Sequence, residues 1–146
     1  MNAIIMAAGT STRFAPLSYE KPKGLLEVKG EVLIERQIRQ LHEAGIHDIT
    51  VVVGYRSEMF RYLEEKLNVR LVMNEDYSIY NNTSSIIRVL DQLADTYICS
   101  SDNYFPDNVF IALPPRWAGT RACACAHRHT ASLHETKNAE VEQYSR

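Results

Sequence analysis

Four short apolar runs constrain this chain more than any other feature: Ala-Ile-Ile-Met at 3–6, Ile-Thr-Val-Val-Val at 49–53, Val-Arg-Leu-Val-Met at 69–73 and Thr-Tyr-Ile-Cys at 96–99. Each has the length of a strand, and each is separated from the next by a stretch long enough for a helix. Val32, Ile34, Ile38 and Leu41 fall near helical spacing, with Gly45 as a C-terminal stop. Ser57 is placed to cap a helix carrying Met59, Phe60, Leu63 and Leu67, and Asn81-Asn82-Thr83 to start one bearing Ile86, Ile87, Leu90 and Leu93. Strand alternating with helix predicts an α/β fold: a doubly wound, Rossmann-like, mostly parallel sheet with helices on both faces. Right-handed crossovers leave few strand orders, and 3-2-1-4 is the expected one.

The pattern ends at about residue 113. Residues 1–113 read as the regular N-terminal part of a domain, and 114–146 as an atypical, poorly ordered tail. Leu133 and Val141 are the only large aliphatics after Pro114, and Cys123, Cys125, His127 and His129 alternate without a core period. One strand face could carry all four, but their spacing does not suit a structural zinc site, and an accidental cluster is the preferred reading. The tail resembles translation in a shifted frame.

With 45% apolar residues, 23% charged residues and a net charge of −2, the composition is that of a globular protein. It gives no support for a nucleic-acid or membrane-surface partner. No apolar run approaches the length of a membrane span, and the first apolar stretch has no basic residue before it, so a cytoplasmic protein is expected. Three cysteines, Cys99, Cys123 and Cys125, fit a reducing compartment. Cys99 reads as a small core residue, and His42 and His47 as solvated.

The chemistry gathers after the first strand, in Ala7-Ala8-Gly9-Thr10-Ser11-Thr12-Arg13, then Pro16, then Lys21-Pro22-Lys23-Gly24-Leu25-Leu26. Small residues leaving a parallel strand let backbone amides approach phosphate, and Arg13 and Lys23 can add charge to the same anion. The loop lacks both the Gly-Lys-Ser/Thr of a P-loop and the G-x-G-x-x-G dinucleotide fingerprint. A bare turn also explains its small residues. In the expected strand order, Asp102 leaves strand four beside this loop, at the point where the winding reverses and ligands bind. A carboxylate there could hold Mg²⁺, or it could cap nearby amides.

The pattern Ala-Ala-Gly-x-x-x-Arg…Pro…Lys-Pro-Lys-x-Leu-Leu-x-Val-x-Gly resembles the signature of sugar-phosphate-type nucleotidyltransferases, the nucleotide-diphospho-sugar transferase fold. The segments 46–55, 74–85 and Ser101-Asp102-Asn103-Tyr104 narrow the likeness to bacterial CTP:phosphocholine cytidylyltransferases, over about residues 1–110. The resemblance implies that backbone amides of Ala8, Gly9, Thr10, Ser11 and Thr12 wrap the nucleotide. Ser11 stands where the family has a second glycine. By the same resemblance Arg13 holds the β- and γ-phosphates, and Lys23 holds the α-phosphate and the incoming phosphate. Asp102 matches a metal-binding aspartate, and Tyr80 and Asn82 lie where the base or acceptor is contacted. The implied reaction is Mg²⁺-dependent in-line transfer of CMP from CTP to phosphocholine, releasing pyrophosphate.

Choline recognition calls for aromatic faces, and Tyr77, Tyr80 and Tyr104 are the candidates. Tyrosines at strand ends are also ordinary half-buried packing, and Asn82 is also an ordinary helix cap. Family members are longer, and nothing in 114–146 matches their second acidic metal ligand. Two alternatives stay open: an enzyme using a sugar 1-phosphate, and a truncated, non-catalytic nucleotide-binding fragment.

Overall fold

The computed structural model describes residues 1–10, 20–79, 82–111 and 121–122. Strands β1 (Asn2–Ala7), β4 (Ile49–Val53), β5 (Arg70–Met73), β6 (Thr96–Ser100) and β7 (Arg121–Ala122) form one sheet in the order β5-β4-β1-β6-β7. All its pairings are parallel, with Ile5 level with Val51 on one side and Cys99 on the other. The four runs read from the sequence therefore occupy the expected 3-2-1-4 order. β7 is a fifth strand that the sequence reading did not include, pairing Arg121 with Tyr97 and Ala122 with Ile98. The rest of the expectation for 114–146, including the Cys123–His129 cluster, lies outside the described residues.

Alternation along the strands divides the core. Ala3, Ile5, Ala7, Ile49, Val51, Val53, Tyr97 and Cys99 face one side with helices α1 (Leu33–Glu43) and α2 (Tyr62–Leu67). Ile34, Ile38 and Leu41 form the apolar stripe of α1 and are fully buried. Ile4 and Val52 point to the opposite side, where Val89, Val72 and Leu93 cover them. Helices thus lie on both faces, and Cys99 is a core residue. Among the described residues no helix is long and apolar enough to cross a membrane.

Three local expectations are corrected. Val32 belongs to a strand: β2 (Glu27–Val28) and β3 (Glu31–Val32) make a small antiparallel hairpin ahead of α1. Its turn needs left-handed backbone at two successive residues, Lys29 at φ 53° and Gly30 at φ 79°, as in the type I′ turns that suit a two-residue hairpin. Ser57 caps nothing through its side chain. Arg56, in left-handed conformation, precedes a 3₁₀ turn over Ser57–Phe60 that leads into α2. The helix from Asn82 ends at Ile87 as α3 (Asn82–Ile87), and a 3₁₀ turn follows over Leu90–Gln92. Val89 is buried there, while Ile87 and Leu90 face solvent.

His42 is also corrected. It is half-buried, with its ring 5.3 Å from that of the exposed His47. Burial, and then the like charge of His47, hold His42 below the usual histidine range.

Candidate functional site

The carboxyl ends of β1, β4, β5 and β6 stay in register one residue beyond the strands. Tyr55 N donates to Ala8 O (3.2 Å), Asn74 N to Val53 O (2.8 Å) and Ser101 N to Met6 O (3.1 Å). Ala8 is buried by this arrangement, whereas Gly9 is exposed and a Cβ there would meet none of the described residues within 4 Å. The chain therefore leaves β1 beside the tip of β6, with no described residue over Gly9.

The second lip is built around Gly24. The 3₁₀ turn Lys23–Leu25 packs so closely on the β6 tip that a Cβ on Gly24 would lie 2.8 Å from Ser101 Cβ. That approach sets Lys23 Nζ 3.7 Å from Asp102 Oδ2. Both side chains are partly exposed (25% and 40%), and a pair of that kind is worth at most about 1 kcal/mol. Parting this pair to meet a phosphate or a cation therefore costs little. Ser100 Oγ donates to the other oxygen, Asp102 Oδ1, at 2.5 Å. Among the described residues no backbone amide donates to this carboxylate, so the cap reading of Asp102 finds no support there.

Helix α1 holds the loop that follows. Gln37, buried, donates to Ser100 O (3.1 Å), and Gln40 and Arg36 donate to Phe105 O (3.1 and 3.0 Å). Arg36 also reaches Pro106 O (2.7 Å) and pairs with Glu31. Arg36, with Arg39, holds the Glu31 carboxyl below its usual range. The Arg36 guanidinium lies 5.0 Å from the Tyr104 ring centre and Lys29 Nζ 5.5 Å from it. Tyr104, a sequence candidate for a choline face, thus already carries two of the chain's own cations.

On the other flank Asn74, buried, donates through Nδ2 to Ser84 Oγ (2.8 Å) and Ser85 Oγ (3.1 Å), while Asp76 N donates to its Oδ1 (3.1 Å). This ties the β5 tip to α3. Gly54 admits Tyr77, whose Cβ lies 2.6 Å from where a Cβ on Gly54 would stand, and Tyr77 tilts against Tyr55 at 6.4 Å.

The structure thus brings Lys23 and Asp102 together and sets Ala8, Gly9 and Thr10 on the adjoining tip. Asn82 opens α3. Ser11, Thr12, Arg13 and Tyr80 lie outside the described residues. Sequence reading assigned nothing to Gln37, Arg36, Asn74 or Ser100. The only signal for the first three was polarity at helix or strand-end positions, which does not separate buried donors from solvated ones.

A parallel sheet that reverses its winding between β1 and β6, with its polar residues at those two tips, is an α/β domain of the nucleotide-binding kind. The chain belongs to the family described as the MobA-like NTP transferase domain, whose model matches residues 3–136. It is 48% identical over 110 residues to a choline-phosphate cytidylyltransferase of Streptococcus pneumoniae, covering 75% of this chain and 48% of that protein. It is 47% identical over 119 residues to a 2-aminoethylphosphonate cytidylyltransferase of Lancefieldella rimae, covering 79% of this chain and 48% of that one. A solved CTP:phosphocholine cytidylyltransferase of Streptococcus pneumoniae superimposes with a TM-score of 0.74 at 47% identity, over 77% of this chain and 50% of that one. The chain spans about half the length of these relatives.

Proposed function

We propose that this chain carries the nucleotide-binding half of a cytidylyltransferase that moves CMP from CTP to phosphocholine and releases pyrophosphate. The observation that carries the reading is the approach of Lys23 to Asp102 across the winding reversal, 3.7 Å apart beside the exposed Gly9 loop. The names of the relatives support the choice of CTP and of a phosphocholine acceptor.

The acceptor's phosphate oxygen attacks the α-phosphorus, the bond to the β-phosphate oxygen breaks, and pyrophosphate leaves. No protein nucleophile takes part, so alignment and charge neutralisation carry the catalysis. Amides of Ala8 to Thr12 hold the triphosphate, and Arg13 takes the departing β- and γ-phosphates. Lys23 offsets the repulsion between the α-phosphate and the incoming phosphate. Tyr80 and Asn82 contact the base or the acceptor.

Asp102 fits a divalent ion of the Mg²⁺ kind. No group of three or more His, Cys, Asp or Glu side chains gathers among the described residues, and Asp102 is the carboxylate that would hold the ion. Mg²⁺ binds through one or two carboxylates and completes its shell with water and substrate phosphates. When bound, it supplies neutralisation of charge on the phosphate oxygens.

A second reading keeps CTP and takes 2-aminoethylphosphonate as acceptor, on the strength of the 47% identity to the enzyme named for it. The test incubates the full chain with CTP, Mg²⁺ and either acceptor, and follows pyrophosphate and the cytidylylated acceptor by mass spectrometry. CDP-choline formation that falls about 100-fold or more in Lys23→Ala supports the proposal. Product formation that Lys23→Ala does not change, or that requires UTP and a hexose 1-phosphate, overturns it.

A further inference from the structure

We infer that Ser100 is the positioning residue that makes Asp102 a one-oxygen ligand, and so tunes the site toward Mg²⁺ and against Ca²⁺. The inference rests on the proposed role of Asp102 as the metal carboxylate.

Ser100 ends β6, level with Met6 of β1, two residues before Asp102. Its backbone is fixed on both sides, since β1 pairs with the strand and Gln37 Nε2, on a fully buried side chain, donates to Ser100 O at 3.1 Å. The hydroxyl therefore starts from a fixed point, and it donates to Asp102 Oδ1 at 2.5 Å. Oδ2 faces the other way, toward Lys23. The bond takes up one lone pair of Oδ1 and fixes the carboxylate plane, so Oδ2 is the oxygen best placed for an ion once Lys23 turns to phosphate.

One oxygen suits Mg²⁺, which holds to octahedral geometry and fills its shell with water and phosphate. Ca²⁺ takes six to eight oxygens and often grips a carboxylate through both. Held ligand carboxylates raise affinity as well, and loss of such a partner costs about 10- to 100-fold in metal binding. Ser100 thus sets both the strength and the selectivity of the ion site.

Calorimetric titration of CTP into the full chain, in excess Mg²⁺ or in excess Ca²⁺, tests this. Ser100→Ala should weaken Mg²⁺-dependent CTP binding about 10-fold and weaken the Ca²⁺-dependent binding less, so that the preference for Mg²⁺ narrows. Ser100→Thr, which keeps the hydroxyl, should retain both affinities. Ser100→Cys, which preserves the volume but replaces the strong donor, should behave like alanine. Equal loss with both ions, or no loss with either, overturns the inference while Asp102→Asn still abolishes metal-dependent binding. If Asp102→Asn leaves that binding intact, or the wild-type chain has none, the proposed function falls, and the inference with it.

Discussion

Replacing Gly24 with alanine is the sharpest probe of how the fold makes the site. The added Cβ would stand 2.8 Å from Ser101 Cβ and 2.9 Å from Ser101 Oγ. Ordinary carbon contact is about 3.5–4.0 Å, so one side has to retreat by about 1 Å. Neither side yields easily. Ser101 is bonded to Met6 O (3.1 Å), and the turn is closed by Leu25 N to Pro22 O (3.0 Å) and Leu26 N to Lys23 O (3.1 Å). Leu25 is also anchored in the core. Overpacking of this kind costs about 1–3 kcal/mol, or a fall of about 3–9 °C in melting temperature for a domain this size. The same retreat carries Lys23 away from Asp102, so metal-dependent CTP binding should weaken as well. Gly9→Ala is the counterpart: with no described residue within 4 Å of its Cβ, it should melt within about 1 °C of wild type yet bind CTP less tightly, because the methyl occupies the space a phosphate would enter. Thermal melts followed by CTP titration of both variants read the two effects. A Gly24→Ala chain that melts like wild type would show that the turn is not packed on Ser101, and undiminished CTP affinity in Gly9→Ala would show that no phosphate lies over Gly9.

Three further outcomes follow from the geometry. Asn74→Ala removes the shared partner of Ser84 Oγ, Ser85 Oγ and Asp76 N, and should destabilise the chain by about 2 kcal/mol in urea titration, with raised amide exchange over 82–87. His42 has its pKa lowered on folding by burial and by His47, so the unfolded chain binds the extra proton first; stability should be level above about pH 6.5 and decline as pH drops below it. The difference between wild type and His42→Gln in urea midpoint, measured at pH 7.5 and pH 5, should show that decline. Arg36→Lys keeps the charge but not the fork that reaches both Phe105 O and Pro106 O, and should raise amide exchange through 103–108 while β1 and β4 stay protected.

The sheet was legible because its strands announce themselves. Ile-Thr-Val-Val-Val at 49–53 has no polar face to confuse the period, and the right-handed crossover rule then places the tips of β1 and β6 side by side. That adjacency is why the Gly9 loop, with its cations, and Asp102 could be placed at one pocket from sequence. The hairpin at 27–32 was not legible, since two-residue strands have no period and Lys29-Gly30 is not one of the common turn dipeptides. The helix after Asn82 was read too long because tertiary bonds intervene. Asn2 Nδ2 donates to Gln92 O (2.9 Å) and Thr50 Oγ1 to Gln92 Oε1 (2.7 Å), drawing that segment into a 3₁₀ turn and burying Val89 in place of Leu90. Ser100 and Gln37 were missed for a related reason: nothing local distinguishes a serine that orients a carboxylate from one in a turn.

A crystal structure of the full chain with CTP and Mg²⁺ would show whether the β1 and β6 tips form one pocket. The triphosphate should lie over Ala8 to Thr10, with the ion about 2.1 Å from a single oxygen of Asp102. A nucleotide seated away from the β1 and β6 tips, or an ion held by other carboxylates with Asp102 turned to solvent, would contradict a single pocket.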